Sequence, residues 1–322
     1  MTIYLSNDDV RNLLPMSECI ELTEKVFRDE AEGQAINLPR THLPLPKGMH
    51  RTVFGIAHGF GVYGMKTYGS DRRPNAPSRT RYLVMLYDLE HGGLEAILEA
   101  RDIGQIRTGA VSGVATKYMA REDASTIGII GSGWEARAQI AAMKEVRSIS
   151  HVKVYSRTAE KREGFAAEMR EVHGLDVAAV DSAEECVRDV DILITITGAD
   201  DPVLEGSWIS PGTHINGIGA TGVNRRELDV DSVSRANIVV VENLEQARAD
   251  CGELIYAAER GGFDWAKAVE IAPVITGETP GRPSNDAITL FDALGVGTED
   301  LAAAAVVLKK AKEQGIGVEL PF

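Results

Sequence analysis

The spacing of apolar and polar positions changes rhythm along the chain. Over residues 17–32 (SECIELTEKVFRDEAE), Ile20, Leu22, Val26 and Phe27 recur among charges at helical spacing. This predicts an amphipathic helix with Ser17 as its N-cap. Residues 37–100 carry short β-rich runs at 52–56, 61–68 and 81–87, set apart by Gly, Pro and Asn clusters. They predict a mostly antiparallel sheet. After Glu99, the segment ARDIGQIRTGAVSGVATKYMA predicts a helix of about 18 residues. From Thr126 the texture changes again: apolar runs at 126–130, 151–155, 177–180, 191–196, 213–218 and 237–241 alternate with helical stretches. That alternation is the signature of a parallel sheet built from βαβ units. Phe291 to Gln314 reads as helix, and no internal repeat interrupts the pattern. The fold class read from the pattern is α/β: an α+β first domain, a Rossmann-like second domain, and a C-terminal helix whose home the pattern leaves open.

Composition narrows the function classes. The 322 residues are 44% hydrophobic and 25% charged, ordinary for a globular protein. Acidic residues outnumber basic ones 48 to 34, a net charge of −14, which disfavours nucleic acid and anionic membrane as partners. Cys19, Cys186 and Cys251 are far apart and lack CxxC spacing. Neither a disulfide framework nor a zinc site is expected, and a reducing cytoplasm fits. The seven His show no HxxxH or HxH cluster, so no metal is expected. Asp8 and Asp9 stand where a secretory signal would be basic and apolar, and no uncharged apolar run approaches membrane-spanning length. A cytoplasmic location is the expectation.

The first chemical motif follows an apolar strand. In Thr126-Ile-Gly-Ile-Ile-Gly131-Ser132-Gly133-Trp134-Glu135-Ala136, GxGxxA sits between that strand and an Ala-rich helix. Gly131 permits the tight turn, Gly133 lets the backbone approach a pyrophosphate, and Ala136 allows close helix–strand packing. At the end of the next strand stand Ser156, Arg157 and Thr158, with no carboxylate until Glu160. An acidic residue there would bind the ribose 2′-hydroxyl, so the segment favours NADP(H), with NAD(H) still possible. Thr197, Gly198 and Gly219 lie at later strand ends, where loops line a cofactor crevice.

Two cations stand in apolar surroundings. Arg107 falls near the middle of an apolar arc formed by Ile103, Ile106, Ala110, Val111, Val114 and Tyr118. A buried guanidinium needs a partner, either an internal carboxylate or the carboxylate of a substrate. Lys66 lies in the strand-like Gly61–Tyr68, where a desolvated lysine near another cation could exchange protons near neutrality. Just beyond, Asp71 to Arg81 holds Arg72, Arg73, Arg79 and Arg81 against one Asp, an anion-attracting rim in an acidic chain.

Taken in order, these motifs resemble the ornithine cyclodeaminase/μ-crystallin family over essentially the whole chain. The matching segments are Leu38-Pro-Arg40, Gly64-Met-Lys66, Ile106-Arg107-Thr-Gly-Ala110, Gly128–Gly133, Pro211–Asn216, Arg226–Asp229 and Thr289–Asp292. The resemblance implies a homodimer, with residues 1–120 plus 296–322 as the substrate and dimerisation domain and 121–295 as the Rossmann domain. It also implies that Arg40, Lys66 and Arg107 hold a substrate carboxylate beside the nicotinamide. The departures are equally informative. Cyclodeaminases carry an acidic residue where this chain has Thr221, and a glutamate expected around Phe54–His58 is missing. A hydroxyl is no base of matched pKa near neutrality. The expectation is therefore the reductase branch: NAD(P)H-dependent reduction of the C=N bond of a small imino acid, or reductive amination of a 2-oxo acid. A cyclodeaminase with bound NAD and a non-enzymatic small-ligand-binding protein are the alternatives. Arg79, Thr80, His58 and Thr221 are the expected further substrate contacts, and Arg79 would suit a second carboxylate.

Overall fold

The computed structural model describes residues 1–46, 48–71 and 80–321, the last two residues before the gap at 72 by backbone alone. Arg72, Arg73 and Arg79 lie outside the described residues. The chain forms two units: Met1–Arg107 with Gly295–Phe322, and Thr108–Leu294. The boundary that the resemblance implies, 120/121, lies just past the helix Arg101–Met119, whereas the two units part inside that helix.

The first unit is built on a seven-stranded sheet. Its order is Val318–Glu319, Ile3–Leu5, Leu94–Glu99, Tyr82–Asp88, Val62–Asp71, Gly48–Ala57, Ala35–Leu45. All pairings are antiparallel except Ile3–Leu5 with Leu94–Glu99. The expected runs at 52–56, 61–68 and 81–87 form its centre. The helices Met16–Ala31 and Gly297–Gln314 pack against the sheet, the latter across four of its strands. The first of these helices starts earlier than Ser17: Pro15 is its N-cap, in extended conformation and without a side-chain cap. A proline costs nothing there, because the first helical N–H groups lack intrahelical partners anyway.

The second unit carries an eight-stranded, wholly parallel sheet. Its order is Ala268–Glu270, Ile238–Val241, Thr289–Asp292, His214–Gly217, Ile192–Thr195, Thr126–Ile130, His151–Tyr155, Asp176–Ala179. The chain order reverses between Thr126–Ile130 and Ile192–Thr195, the topological switch point of a Rossmann-type fold. Strands covered on both faces lose their alternation, and Ile192–Thr195, His214–Gly217 and Thr289–Asp292 are buried at every position. The last of these corrects the reading of Phe291 onward as helix. Thr289–Asp292 is a strand pinned between two others, and the helix begins only at Gly297. Gly295, at φ 78°, makes the turn between them.

Candidate active site

The dinucleotide motif has the geometry its sequence asks for. Gly131 adopts φ 124°, and a Cβ there would stand 2.3 Å from the Ile196 carbonyl oxygen, so the turn admits only glycine. Gly133 is the extended N-cap of the helix Trp134–Val146 and gives it no side-chain cap. The first-turn N–H groups of that helix are the donors an anion such as pyrophosphate uses. Ala136 is fully buried behind them, and Trp134 is partly exposed. Ser132 Oγ donates to Ser156 Oγ at 2.9 Å, joining this turn to the end of the next strand. Arg157 and Thr158 are exposed there. These residues fit a nicotinamide dinucleotide.

Thr197 and Gly219 need a different account. Their backbone N–H groups both donate to the buried carboxylate of Glu227, the Gly219 bond at 2.8 Å. Glu227 thus clasps the ends of two neighbouring strands, and the two amides are taken up internally. A Cβ at Gly198 would lie 3.5 Å from Arg225. Thr221, in the same unit, is half-buried and forms an isolated β-bridge with Cys251. Burial raises the Glu227 carboxyl, and the same cause raises its neighbours Glu253 and Asp292, the latter to about 7.

The first unit brings three of the expected residues to one short stretch, Gly295–Asp300. Lys66 lies mid-strand between Val53 and Val84, 5% exposed. Its Nζ is 2.8 Å from Asp300 Oδ1 and 2.7 Å from Oδ2. Arg107 Nη1 donates to Glu299 Oε2 at 2.8 Å, and its Nε stands 3.2 Å from Asp300 Oδ1. Arg40 Nη2 donates to the Gly295 carbonyl at 3.1 Å. A Cβ on Gly295 would lie 2.6 Å from both Arg107 Nη atoms and would displace the guanidinium, and the positive φ of 78° itself favours glycine. Glu299 and Asp300 are completely buried in the first turn of the helix Gly297–Gln314, where the helix dipole favours negative charge. Burial lowers the Lys66 pKa, the neighbouring Arg107 lowers it further, and Asp300 opposes both.

Of the remaining expected contacts, Thr80 is half-buried just before the strand Tyr82–Asp88. His58 is exposed at the hairpin turn after Ala57, whereas Lys66 pairs with Val53. At ~3.4 Å per residue that is well over 10 Å along the strand, so His58 is not part of the cation cluster. Arg79 lies outside the described residues. Sequence reasoning missed Glu299, Asp300 and Glu227. The signal for the first two was present: adjacent acids opening an otherwise apolar helix, in a chain with two buried cations to neutralise. No group of His, Cys, Asp and Glu among the described residues could hold a metal. No helix among them is long and apolar enough to cross a membrane.

Known proteins resemble the chain along its whole length. The alanine dehydrogenase of Archaeoglobus fulgidus is 36% identical over 327 residues, covering 100% of this chain and 98% of that one. The structure of Thermococcus litoralis Δ1-pyrroline-2-carboxylate reductase, in complex with NADH and L-proline, superposes with a TM-score of 0.94 at 34% identity, covering 99% of this chain and 100% of that one. An archaeal alanine dehydrogenase dimer with bound NAD superposes with a TM-score of 0.93 at 33% identity, covering 100% and 99%. These relatives are nicotinamide-dependent oxidoreductases of amino and imino acids. The family model of ornithine cyclodeaminases and mu-crystallins matches residues 1–315, and the chain belongs to the ornithine cyclodeaminase/mu-crystallin family.

Proposed function

We propose that this protein is an NAD(P)H-dependent reductase of the C=N bond of a small α-imino acid, cyclic or formed from a 2-oxo acid and ammonia, yielding an L-amino acid. The observation that carries this reading is the gathering of buried Lys66 and Arg107, with half-buried Arg40, on the Gly295–Asp300 stretch. Lys66 and Arg107 pair with Glu299 and Asp300, and Arg40 donates to the Gly295 carbonyl at the start of the same stretch. Arginine forks bind carboxylates in a fixed plane, so Arg40 and Arg107 orient the substrate. Lys66 hydrogen-bonds that carboxylate and delivers a proton to the imine nitrogen. The balance is imine plus NAD(P)H plus one proton to amine plus NAD(P)+; the bound nicotinamide supplies the hydride and both electrons. Gly131, Gly133 and the start of the helix Trp134–Val146 hold the pyrophosphate, and Ser156, Arg157 and Thr158 the adenosine ribose. Arg157 without a neighbouring acid supports NADPH as the preferred reductant, with NADH also used. Thr221 offers no carboxylate for amine elimination, which speaks against a cyclodeaminase.

The test is oxidation of NADH and NADPH with Δ1-pyrroline-2-carboxylate, and with pyruvate or oxaloacetate plus ammonia. Stoichiometric cofactor oxidation is expected. Ammonia release from ornithine without net cofactor change would identify a cyclodeaminase instead. Binding of cofactor without turnover on the whole panel would leave only ligand binding. A preference for oxaloacetate would support the role expected of Arg79.

The reading includes a homodimer. One face of the seven-stranded sheet, with Val53, Gly55, Gly64, Lys66 and Val84, packs under the helix Gly297–Gln314. The opposite face carries Ile36, Leu38, Phe54, Ile56, Met65 and Met85, aligned by register across four strands. Leu38 is 52% exposed and Phe54 37%. A contiguous apolar face of this kind marks an interface, and a second copy is the partner we assign to it.

A further inference from the structure

We propose that Asp300 is a positioning residue that holds Lys66 in place as a charged ammonium, and so sets the pH range over which the site can deliver a proton. The inference rests on the proposed reductase reading, in which Lys66 touches the substrate. Its basis is geometric. Both Asp300 oxygens lie within 2.8 Å of Lys66 Nζ, and no other carboxylate is paired with that nitrogen among the described residues. The charged and titratable groups facing Lys66 come from the elements around it. They are Arg107 on the helix Arg101–Met119, Asp300 on the helix Gly297–Gln314 and Tyr68 two positions along its own strand, while its partners on the flanking strands, Val53 and Val84, are apolar; Arg51 and Tyr82 share the sheet face through their pairing with Tyr68. Arg107 disfavours the ammonium, and burial disfavours it more. Asp300 is the carboxylate that opposes them.

The arrangement also explains why two acids are adjacent. Asp300 touches both cations, whereas Glu299 pairs with Arg107. Glu299 gives Arg107 a carboxylate of its own, so Asp300 is not the guanidinium's sole partner. Both carboxylates sit in the first helical turn, where the helix dipole favours negative charge. A single acid shared between a guanidinium and an ammonium would leave one buried positive charge uncompensated, a costly arrangement. After Lys66 gives its proton to the imine nitrogen, Asp300 favours its recharging from solvent before the next turnover.

The experiment uses the full-length protein with Asp300→Asn, which keeps the shape and removes the charge. The Lys66 ammonium is followed by NMR of 13Cε-labelled lysine, assigned by Lys66→Arg, independently of activity. In the wild type Lys66 is expected to be charged at neutral pH, and in Asp300→Asn its midpoint falls by about one pH unit or more. The alkaline limb of the kcat–pH profile for imine reduction moves down with it, and kcat at mildly alkaline pH drops about tenfold. The Kd for NADH stays within about twofold, because cofactor binding does not use Asp300. An unshifted Lys66 midpoint overturns the proposal, and so does a wild-type Lys66 that is neutral at neutral pH, a result that needs no variant to fold. A shifted midpoint with no imine turnover by the wild type would instead overturn the reductase reading and leave the Asp300–Lys66 coupling standing.

Discussion

At the residue scale, the buried cations were legible and their partners were not. Arg107 declared itself by standing on the apolar arc of a helix, and it is indeed buried. Of its two candidate partners, an internal carboxylate and a substrate carboxylate, the structure holds the first: Glu299 and Asp300 pair with it. Those acids are 192 and 193 positions further along the chain, and spacing carries no information over such separations. His214, in the family-like Pro211–Asn216 segment, is fully buried, its pKa pushed down to about 3 by desolvation, and it lies 2.9 Å from Thr289 on the next strand. It is therefore a neutral sheet contact and no base at neutral pH. Arg157 carries the cofactor prediction. It is exposed at the end of the strand His151–Tyr155, with only hydroxyl side chains beside it. An arginine meeting a 2′-phosphate contributes on the scale of a charge-assisted hydrogen bond, ~1.5–3 kcal/mol. Arg157→Ala is expected to lower kcat/KM for NADPH about tenfold or more and to leave that for NADH nearly unchanged, measured at saturating imine. Equal losses with both cofactors would remove Arg157 from cofactor choice.

At the scale of elements, the parallel sheet was readable because its strands are short apolar runs bounded by turns. Thr289–Asp292 escaped because its four residues abut a long apolar helix, and periodicity over so few positions cannot separate strand from helix. The misread strand has consequences, since it ends in Asp292 among buried acids. Asp292 is raised from the ordinary 3.8 to about 7, by burial first and then by Glu242 and Glu227, with a hydrogen bond to Cys251 opposing. The folded state holds this proton more tightly than the unfolded chain does. Its stabilising contribution is therefore complete below the unfolded pKa and is lost as pH rises through about 7. Glu253 and Glu227 are shifted in the same direction by the same burial. Thermal stability of the second unit should accordingly fall between about pH 4 and pH 7. Asp292→Asn, which cannot ionise, should flatten that slope and match or exceed the wild-type Tm at the alkaline end. A calorimetric series across that range decides it; an unchanged slope would mean that Asp292 is ionised throughout.

At the scale of the whole molecule, the −14 net charge and the basic site are compatible because the positive groups are few, buried and individually placed. A net charge of −14 would not gather the proposed carboxylate substrate, so its capture would depend on short-range contacts that salt screens weakly. The domain pattern was legible because the chain changes texture at Thr126, yet the physical division falls within a helix that no change of composition marks. The face of the seven-stranded sheet opposite its helices was not anticipated from pattern, since strands buried on one side and half-exposed on the other still read as β-rich. That face gives the last prediction. Phe54 stands across from Leu38 and Met65, near the middle of the apolar rows. Burying a carboxylate there against a second copy would cost several kcal/mol, whereas on an exposed monomer surface it would cost little. Phe54→Asp is therefore expected to convert a dimer to a monomer in sedimentation velocity while the monomer keeps its far-UV circular dichroism. A variant that remains dimeric would place the interface elsewhere, and a wild type that sediments as a monomer would leave this face without the partner assigned to it.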